Sequence, residues 1–166
     1  RLPESDPILR TIDFVSIHTY PISRSSQWDW QQTSTPAGPN RAAAMMNASF
    51  SFASGTFEQV ASHLYRSAAG DTERVDASLP IVVGETGWKA VQTRPASEIE
   101  TYAANPVNEK WYYDLMNTWQ AGAVGDPPRG TAGGPPTVFF FEAFDETWKG
   151  IGVEPFDDGW GLWDKF

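Results

Sequence analysis

The sequence predicts an α/β domain built on parallel strands, and three observations carry that prediction. Residues 80–85 and 137–144 are apolar on both faces, the mark of strands covered on both sides. Segments of helical period separate the strands, giving strand, helix, strand, helix, strand. Both apolar strands also run into acids at their C-terminal ends. The first ends in Gly84-Glu85-Thr86-Gly87, and the second in Glu142, Asp145 and Glu146 ahead of Lys149. A carboxylate at the end of a buried strand costs free energy unless its charge is used, so the strand ends are the predicted functional face.

Taken in order, residues 12–20 read as the first strand, stopped by Pro21. A period of two puts Phe14, Ser16, His18 and Tyr20 on one face, with Val15 and Ile17 on the other. Residues 21–41, rich in Ser, Gln, Pro and Gly, read as a long loop carrying Trp28 and Trp30. Two helices follow, over 41–52 and 56–69. In the second, Phe57, Val60, Ala61, Leu64 and Tyr65 fall at helical spacing, and Gly70 supplies a stop. After the strand at 80–85, residues 98–104 open a short helix. Residues 108–121 form a longer one, with Trp111, Leu115 and Trp119 at i+4 steps ahead of Gly122. A Gly/Pro loop over 125–136 leads to the strand at 137–144, where Glu142 shares a face with Phe140 and Phe144. The aromatic, Gly- and Asp-containing stretch 150–166 reads as an irregular cap over the strand ends. No internal repeat or linker divides the chain.

At 166 residues the chain is long enough for one domain with a core. Its 12 basic and 21 acidic residues give a net charge of −9, which argues against nucleic acid as a partner. The acids are scattered through a chain that is 40% hydrophobic, unlike a disordered acidic tail. Cysteine is absent, which removes disulfides, thiolate nucleophiles and Cys-based zinc sites. No run is long enough to cross a membrane. Eight Trp are present, of which Trp28, Trp30, Trp88, Trp148, Trp160 and Trp163 lie near Gly, Asp or Ser. Flat rings beside carboxylates suit sugars; loop anchoring is the plainer role for about half of them.

Glu85 is the leading candidate, because Gly84 and Gly87 let the backbone turn sharply and leave the carboxylate in a pocket. Glu142 follows on strand periodicity, while Asp145 and Glu146 equally suit capping of the next element. Lys149 is placed to pair with one of them. His18 and His63 lack metal-ligand spacing; His63 belongs to a helix, and His18 either lines the site or sits satisfied in the core. No Gly-x-Ser-x-Gly elbow and no phosphate-binding glycine loop is present. Asn47-Ala48-Ser49 matches a glycosylation sequon, a pattern frequent by chance. Two carboxylates at strand ends, aromatic walls and no cofactor motif point to glycoside chemistry, in which acids about 5–5.5 Å apart retain the anomeric configuration. Neither a metal nor an organic cofactor is implied.

Four motifs then occur in order: Asp13-Phe14-Val15-Ser16-Ile17-His18-Thr19-Tyr20-Pro21, Val83-Gly84-Glu85-Thr86-Gly87-Trp88-Lys89, Phe141-Glu142-Ala143-Phe144-Asp145-Glu146-Thr147-Trp148-Lys149 and Trp160-Gly161-Leu162-Trp163-Asp164. Together they resemble glycoside hydrolase family 17, the β-1,3-glucanase and β-1,3-glucanosyltransferase family. The wording is closest to its bacterial members, including those fused to membrane glucan synthases. The resemblance implies a (β/α)8 barrel of which this chain holds about strands six to eight, because 166 residues are few for a whole one. It implies that Glu85, ending strand seven, is the nucleophile and that Tyr20 contacts it and the sugar. Glu142, Phe144, Glu146 and Lys149 would sit beside the glucose-binding subsites, with Trp88 near them; His18 joins the expected substrate-binding set from its own place at the strand end beside Tyr20.

One departure from the family pattern shapes the rest. The family's acid/base Glu follows an Asn at the end of strand four, upstream of everything here. Asn108-Glu109 lies between strands seven and eight, directly after Pro106, where helix capping explains it. The expectation is therefore that residues 1–166 are the C-terminal portion of one barrel domain, with the N-terminal strands and the acid/base outside this chain. A second chain or fragment would complete it, since three strands alone leave unpaired edges. Substrate is β-1,3-glucan, with hydrolysis and transfer both open. The rival readings are a noncatalytic glucan-binding module and an inactive fragment. A glucan substrate implies a periplasmic or extracellular location, and a missing region would supply any membrane tether.

Overall fold

In the computed structural model, residues 6–9, 11–21, 39–64, 79–91, 103–122, 134–144 and 159–162 are described. Among these residues three helices and three strands alternate: α1 (Asp6–Leu9), β1 (Val15–His18), α2 (Pro39–Leu64), β2 (Ile81–Thr86), α3 (Pro106–Ala121) and β3 (Val138–Phe140). The strands form one parallel sheet in the order β1-β2-β3, as the alternation predicts.

The two outer strands are shorter than the sequence implies, while β2 keeps the six residues expected, shifted on by one. Before β1, Asp13 and Phe14 are exposed, and ladder bonding starts where Val15 N–H donates to Pro80 O at 2.8 Å. The third strand ends at Phe140 instead of reaching residue 144. Beyond it Phe141 N–H still donates to Thr86 O at 2.7 Å, but Glu142 N–H turns to Trp160 O at 3.3 Å. The Phe141–Glu142 peptide bond is cis. Strand periodicity therefore does not reach Glu142 or Phe144. Phe140 is also not on an open face: its ring packs edge-on against Tyr113 of α3 at 4.3 Å.

The two helices predicted over 41–52 and 56–69 are one 26-residue helix, α2. Gly55 costs about 0.5–1 kcal/mol in a helix interior. The apolar stripe runs on past it through Met46, Ala53, Phe57, Ala61 and Leu64, all buried, and that burial outweighs the cost. Hydroxyls on its polar face bond back to the helix itself, as where Thr56 Oγ1 donates to Phe52 O at 2.9 Å. Helix α3 starts two residues earlier than predicted. Asn105 is its N-cap, accepting from Asn108 N–H at 2.9 Å, and Pro106 occupies the first turn, where its missing N–H costs nothing. Tyr112 and Met116 face inward, flanked by Trp111, Leu115 and Trp119.

Both core clusters lie on one side of the sheet. Met45, Met46, Ala53, Trp88, Ala103, Tyr112 and Met116 form the first, and Phe57, Ala61, Leu64, Ile81 and Val83 the second. Trp119 and Val138 pack against both and join them. The opposite sheet face carries Ser16 and His18 of β1, Val82 and Gly84 of β2, and Phe139 of β3, which is 58% exposed. The sheet is thus apolar and helix-covered on one face, and open on the other. Among the described residues no helix is long and apolar enough to cross a membrane.

Candidate active site

The central strand positions Glu85 through an irregularity in its pairing. Val15, Ser16 and Ile17 pair in register with Ile81, Val82 and Val83, but His18 pairs with Glu85, so Gly84 is the extra residue of a bulge. Bulges re-aim side chains and are common beside active sites. Here the bulge turns Glu85 toward the open face, where its side chain is 43% exposed. Gly84 is required for the close approach: a Cβ there would fall on Ser16 Oγ and lie 3.3 Å from Ser16 Cβ. The next residue, Thr86, points the other way and is fully buried.

Two residues of the first segment converge on one oxygen of Glu85. Tyr20 Oη donates to Oε2 at 2.9 Å, and His18 Nδ1 lies 3.4 Å from the same atom. Among the described residues both polar contacts of this carboxylate fall on Oε2, and none on Oε1. The ladder carries on past β1, with Thr19 N–H donating to Glu85 O at 2.9 Å, so Tyr20 is held at the level of the carboxylate. A carboxylate with one oxygen anchored and the other free suits nucleophilic attack.

The remaining predicted residues divide. Glu142 follows β3 and is half-buried; its N–H donates to Trp160 O and its carbonyl accepts from Leu162 N–H at 3.0 Å. Phe144 is 62% exposed. Glu146 and Lys149 lie outside the described residues, as do Asp145, Trp28, Trp30, Trp148 and Trp163. Trp88 is a correction. It is 0% exposed, its indole N–H donates to Ala103 O at 2.9 Å, and its ring lies against Tyr112 at 5.3 Å. It anchors the β2 end in the core and offers no ring face to a sugar.

Asn108 and Glu109 lie in the first turn of α3, where the cap is Asn105 and not Asn108: Asn108 Nδ2 donates to Ala103 O at 3.0 Å, and both side chains are buried. Behind the site, burial pushes the Tyr112 phenol well above its ordinary value, with a smaller opposing effect from Thr86. Tyr113 is raised likewise, first by burial and then by the charges of Glu109, Tyr112 and Glu142. Among the described residues no cluster of three metal-ligating side chains forms.

Sequence reasoning missed the ring wall around Tyr20. Phe141 and Trp160 each meet its ring edge-on, at 6.4 and 5.4 Å. Lys89 Nζ lies 5.2 Å over the Trp160 ring. In the sequence Phe141 lies inside an apolar strand run and Trp160 in a stretch that reads as an irregular cap. The signal that points to this wall is Gly87, where a Cβ would fall on Phe141 O and lie 3.2 Å from Trp160 Cε3.

Solved structures resemble this chain in fold. An endo-laminarinase from Formosa Hel1_33_131 matches over 98% of this chain, with a TM-score of 0.67 and 21% identity. A β-1,3-glucanase and allergen of Cryptomeria japonica pollen matches over 97%, with a TM-score of 0.48 and 17% identity. The chain spans 38% of the first protein's length and 46% of the second's. No known family profile and no curated protein matches the sequence. At these identities the likeness to the endo-laminarinase defines a fold: mixed α/β with parallel strands, of the kind that enzyme contains.

Proposed function

We propose that this chain is the C-terminal part of a retaining β-1,3-glucan hydrolase or transglycosylase of the family 17 type, with Glu85 as nucleophile. The observation that carries the reading is the Glu85 carboxylate at the end of the central parallel strand, turned to the open face with Oε2 held by Tyr20 and Oε1 free. Oε1 attacks the anomeric carbon, forming a glycosyl ester as the bond to the leaving oxygen breaks. A general acid protonates that oxygen, then draws a proton from water or from a sugar hydroxyl that displaces Glu85. His18, Glu142 and Phe144 border the sugar, with Glu146 and Lys149 completing the set.

The general acid, in this reading, comes with strands outside the chain. Among the described residues β1 and β3 are the edges of the sheet, and the helices pack on one of its faces. The 38% of the endo-laminarinase's length that the chain spans is close to three strands in eight. A second polypeptide segment pairing with both edges would close a (β/α)8 barrel over the open face. Because β-glucans lie outside the cytoplasm, the setting is periplasmic or extracellular.

An activated laminaribioside tests the nucleophile without needing the acid, if it carries fluorine at the sugar's second carbon and a dinitrophenolate leaving group. Incubation with the full chain is expected to leave a glycosyl adduct on the peptide containing Glu85, absent in Glu85→Gln. An adduct on another carboxylate, or none, overturns the nucleophile assignment. Saturable binding of laminari-oligosaccharide without any adduct makes the chain a noncatalytic glucan-binding module.

A further inference from the structure

Segment 159–162 is not used by the mechanism above, yet it touches all three parts of the site. Gly159 O accepts from Ala90 N–H at 2.8 Å and Val91 N–H at 3.3 Å, tying it to the stretch after β2. Trp160 O accepts from Glu142 N–H, and Leu162 N–H donates back to Glu142 O, tying it to the stretch after β3. The backbone strap so formed lays the Trp160 indole against the ring of Tyr20, from the end of β1, at 5.4 Å and 79°.

We propose that Trp160 is a positioning residue for Glu85, acting through Tyr20. The inference rests on reading Glu85 as the nucleophile, and it adds a residue for which no role has been assigned above. Tyr20 lies beyond the last residue of β1 and is followed by Pro21. Its phenol turns about two side-chain torsions, and the setting seen here brings Oη to 2.9 Å from Glu85 Oε2. Trp160 and Phe141 are the walls that select it: both meet the Tyr20 ring nearly at right angles, and they meet each other at 6.1 Å and 72°. Perpendicular contacts of this kind are favourable beyond the area they bury.

Trp160 is in turn placed from behind. The missing Cβ of Gly87 gives the indole room, and the Lys89 ammonium lies over its ring. The buried indole N–H has no hydrogen-bond partner among the described residues. The ring is therefore held by the strap and by ring contacts, and its contact with Tyr20 is the route by which it reaches the carboxylate.

The test reads the Tyr20–Glu85 hydrogen bond directly, through the carboxyl carbon resonance of Glu85 in isotopically labelled full-length chain at neutral pH. Tyr20→Phe sets the position for a lost bond. Trp160→Leu, which keeps apolar bulk but loses the ring edge, is expected to move the resonance more than half of that way. Trp160→Phe is expected to stay near the parent, and Trp160→Leu placed on Tyr20→Phe to add nothing. A parent-like resonance in Trp160→Leu, an additive shift in the double variant, or no response to Tyr20→Phe overturns the proposal. Trp160→Phe read against Tyr20→Phe keeps the test decisive where the leucine variant does not fold. Labelling by the activated fluoro-glycoside is a separate readout: Trp160→Leu is expected to slow it by about tenfold or more. Absence of labelling in the parent refutes the nucleophile, whereas labelling at the parent rate in Trp160→Leu refutes only the positioning role.

Discussion

Thr86 Oγ1 and Tyr112 Oη stand 2.7 Å apart in the core, one residue beyond the carboxylate that faces the open side of the sheet. Neighbours in sequence thus point opposite ways: Glu85 toward the site, Thr86 into the layer between sheet and helix. The bond pins the end of β2 to α3, and Trp88 fastens the chain again two residues on. The position of Glu85 is set by these core contacts as much as by its own partners.

Both groups of that bond are buried, so losing either partner strands the other. Thr86→Val and Tyr112→Phe are each expected to cost about 1–3 kcal/mol. The double variant should cost less than their sum, because the second change removes a group already unpaired. Urea unfolding of the four proteins measures the cycle; full additivity would show that the bond contributes nothing.

Alkaline unfolding should report the same layer. The Tyr112 and Tyr113 phenols are raised by burial above their ordinary value of 10.0. Below that value the folded and unfolded states both keep the protons, and the contribution is whole. As pH rises from there through the raised folded values, the unfolded chain releases protons that the fold retains, so stability falls. Tyr113 Oη has no hydrogen-bond partner among the described residues. Tyr113→Phe is therefore expected to be neutral or mildly stabilising at neutral pH and to lessen the alkaline slope. Unfolding midpoints across pH 8 to about 11 check both.

Much of this site was legible in the sequence because short-range chemistry fixed it. Gly84 and Gly87 around Glu85 read as a sharp turn that frees the carboxylate; the strand instead runs on to Thr86, and a bulge at Gly84 turns Glu85 outward. The alternation of periods likewise marked the parallel sheet. Three features were not legible, each because a distant contact overrode a local pattern. Gly55 reads as a break, but the buried stripe from Met46 to Leu64 carries the helix through it. Residues 137–144 read as one strand, but strap 159–162 takes the hydrogen bonds of Glu142. Trp88, placed beside the site by its neighbour Gly87 and by the family resemblance, is drawn inward by Tyr112 and Ala103.

That burial separates Trp88 from substrate contact in a measurable way. Trp88→Ala is expected to cost about 3–5 kcal/mol, the range for deleting a large buried ring. Trp88→Phe fills most of the space and costs less, although it leaves Ala103 O with the Asn108 amide as its remaining donor. Per folded molecule, Trp88→Phe should keep parent affinity for laminari-oligosaccharides in calorimetric titration. A selective loss of affinity at unchanged stability would return Trp88 to the sugar-binding surface.

Gly84 tests the bulge. A Cβ at this position falls on Ser16 Oγ, the end of an exposed side chain, but also lies 3.3 Å from Ser16 Cβ, which cannot turn away. Gly84→Ala is expected to cost about 1–3 kcal/mol, as overpacking does, and to slow labelling of Glu85 by displacing the end of β1. Ser16→Ala in the same chain removes Oγ and should recover part of both losses. Equal effects with and without Ser16→Ala would place the strain elsewhere.

His18 and Tyr20 address the same Glu85 oxygen but differ in how they are held, and the difference predicts unequal effects. His18 is 58% exposed at 3.4 Å, a surface pair of the kind that contributes little to stability. Tyr20 makes a 2.9 Å bond within a wall of rings, and hydrogen bonds to charged groups contribute about 1.5–3 kcal/mol. His18→Ala is therefore expected to leave unfolding within about 0.5 kcal/mol of the parent and to slow Glu85 labelling severalfold. Tyr20→Phe should slow labelling by at least tenfold, because Oε2 loses its anchor and the two oxygens become interchangeable. Measuring labelling rate and unfolding midpoint on both variants settles the order. A larger labelling loss in His18→Ala than in Tyr20→Phe would make His18 the principal anchor and Tyr20 a wall.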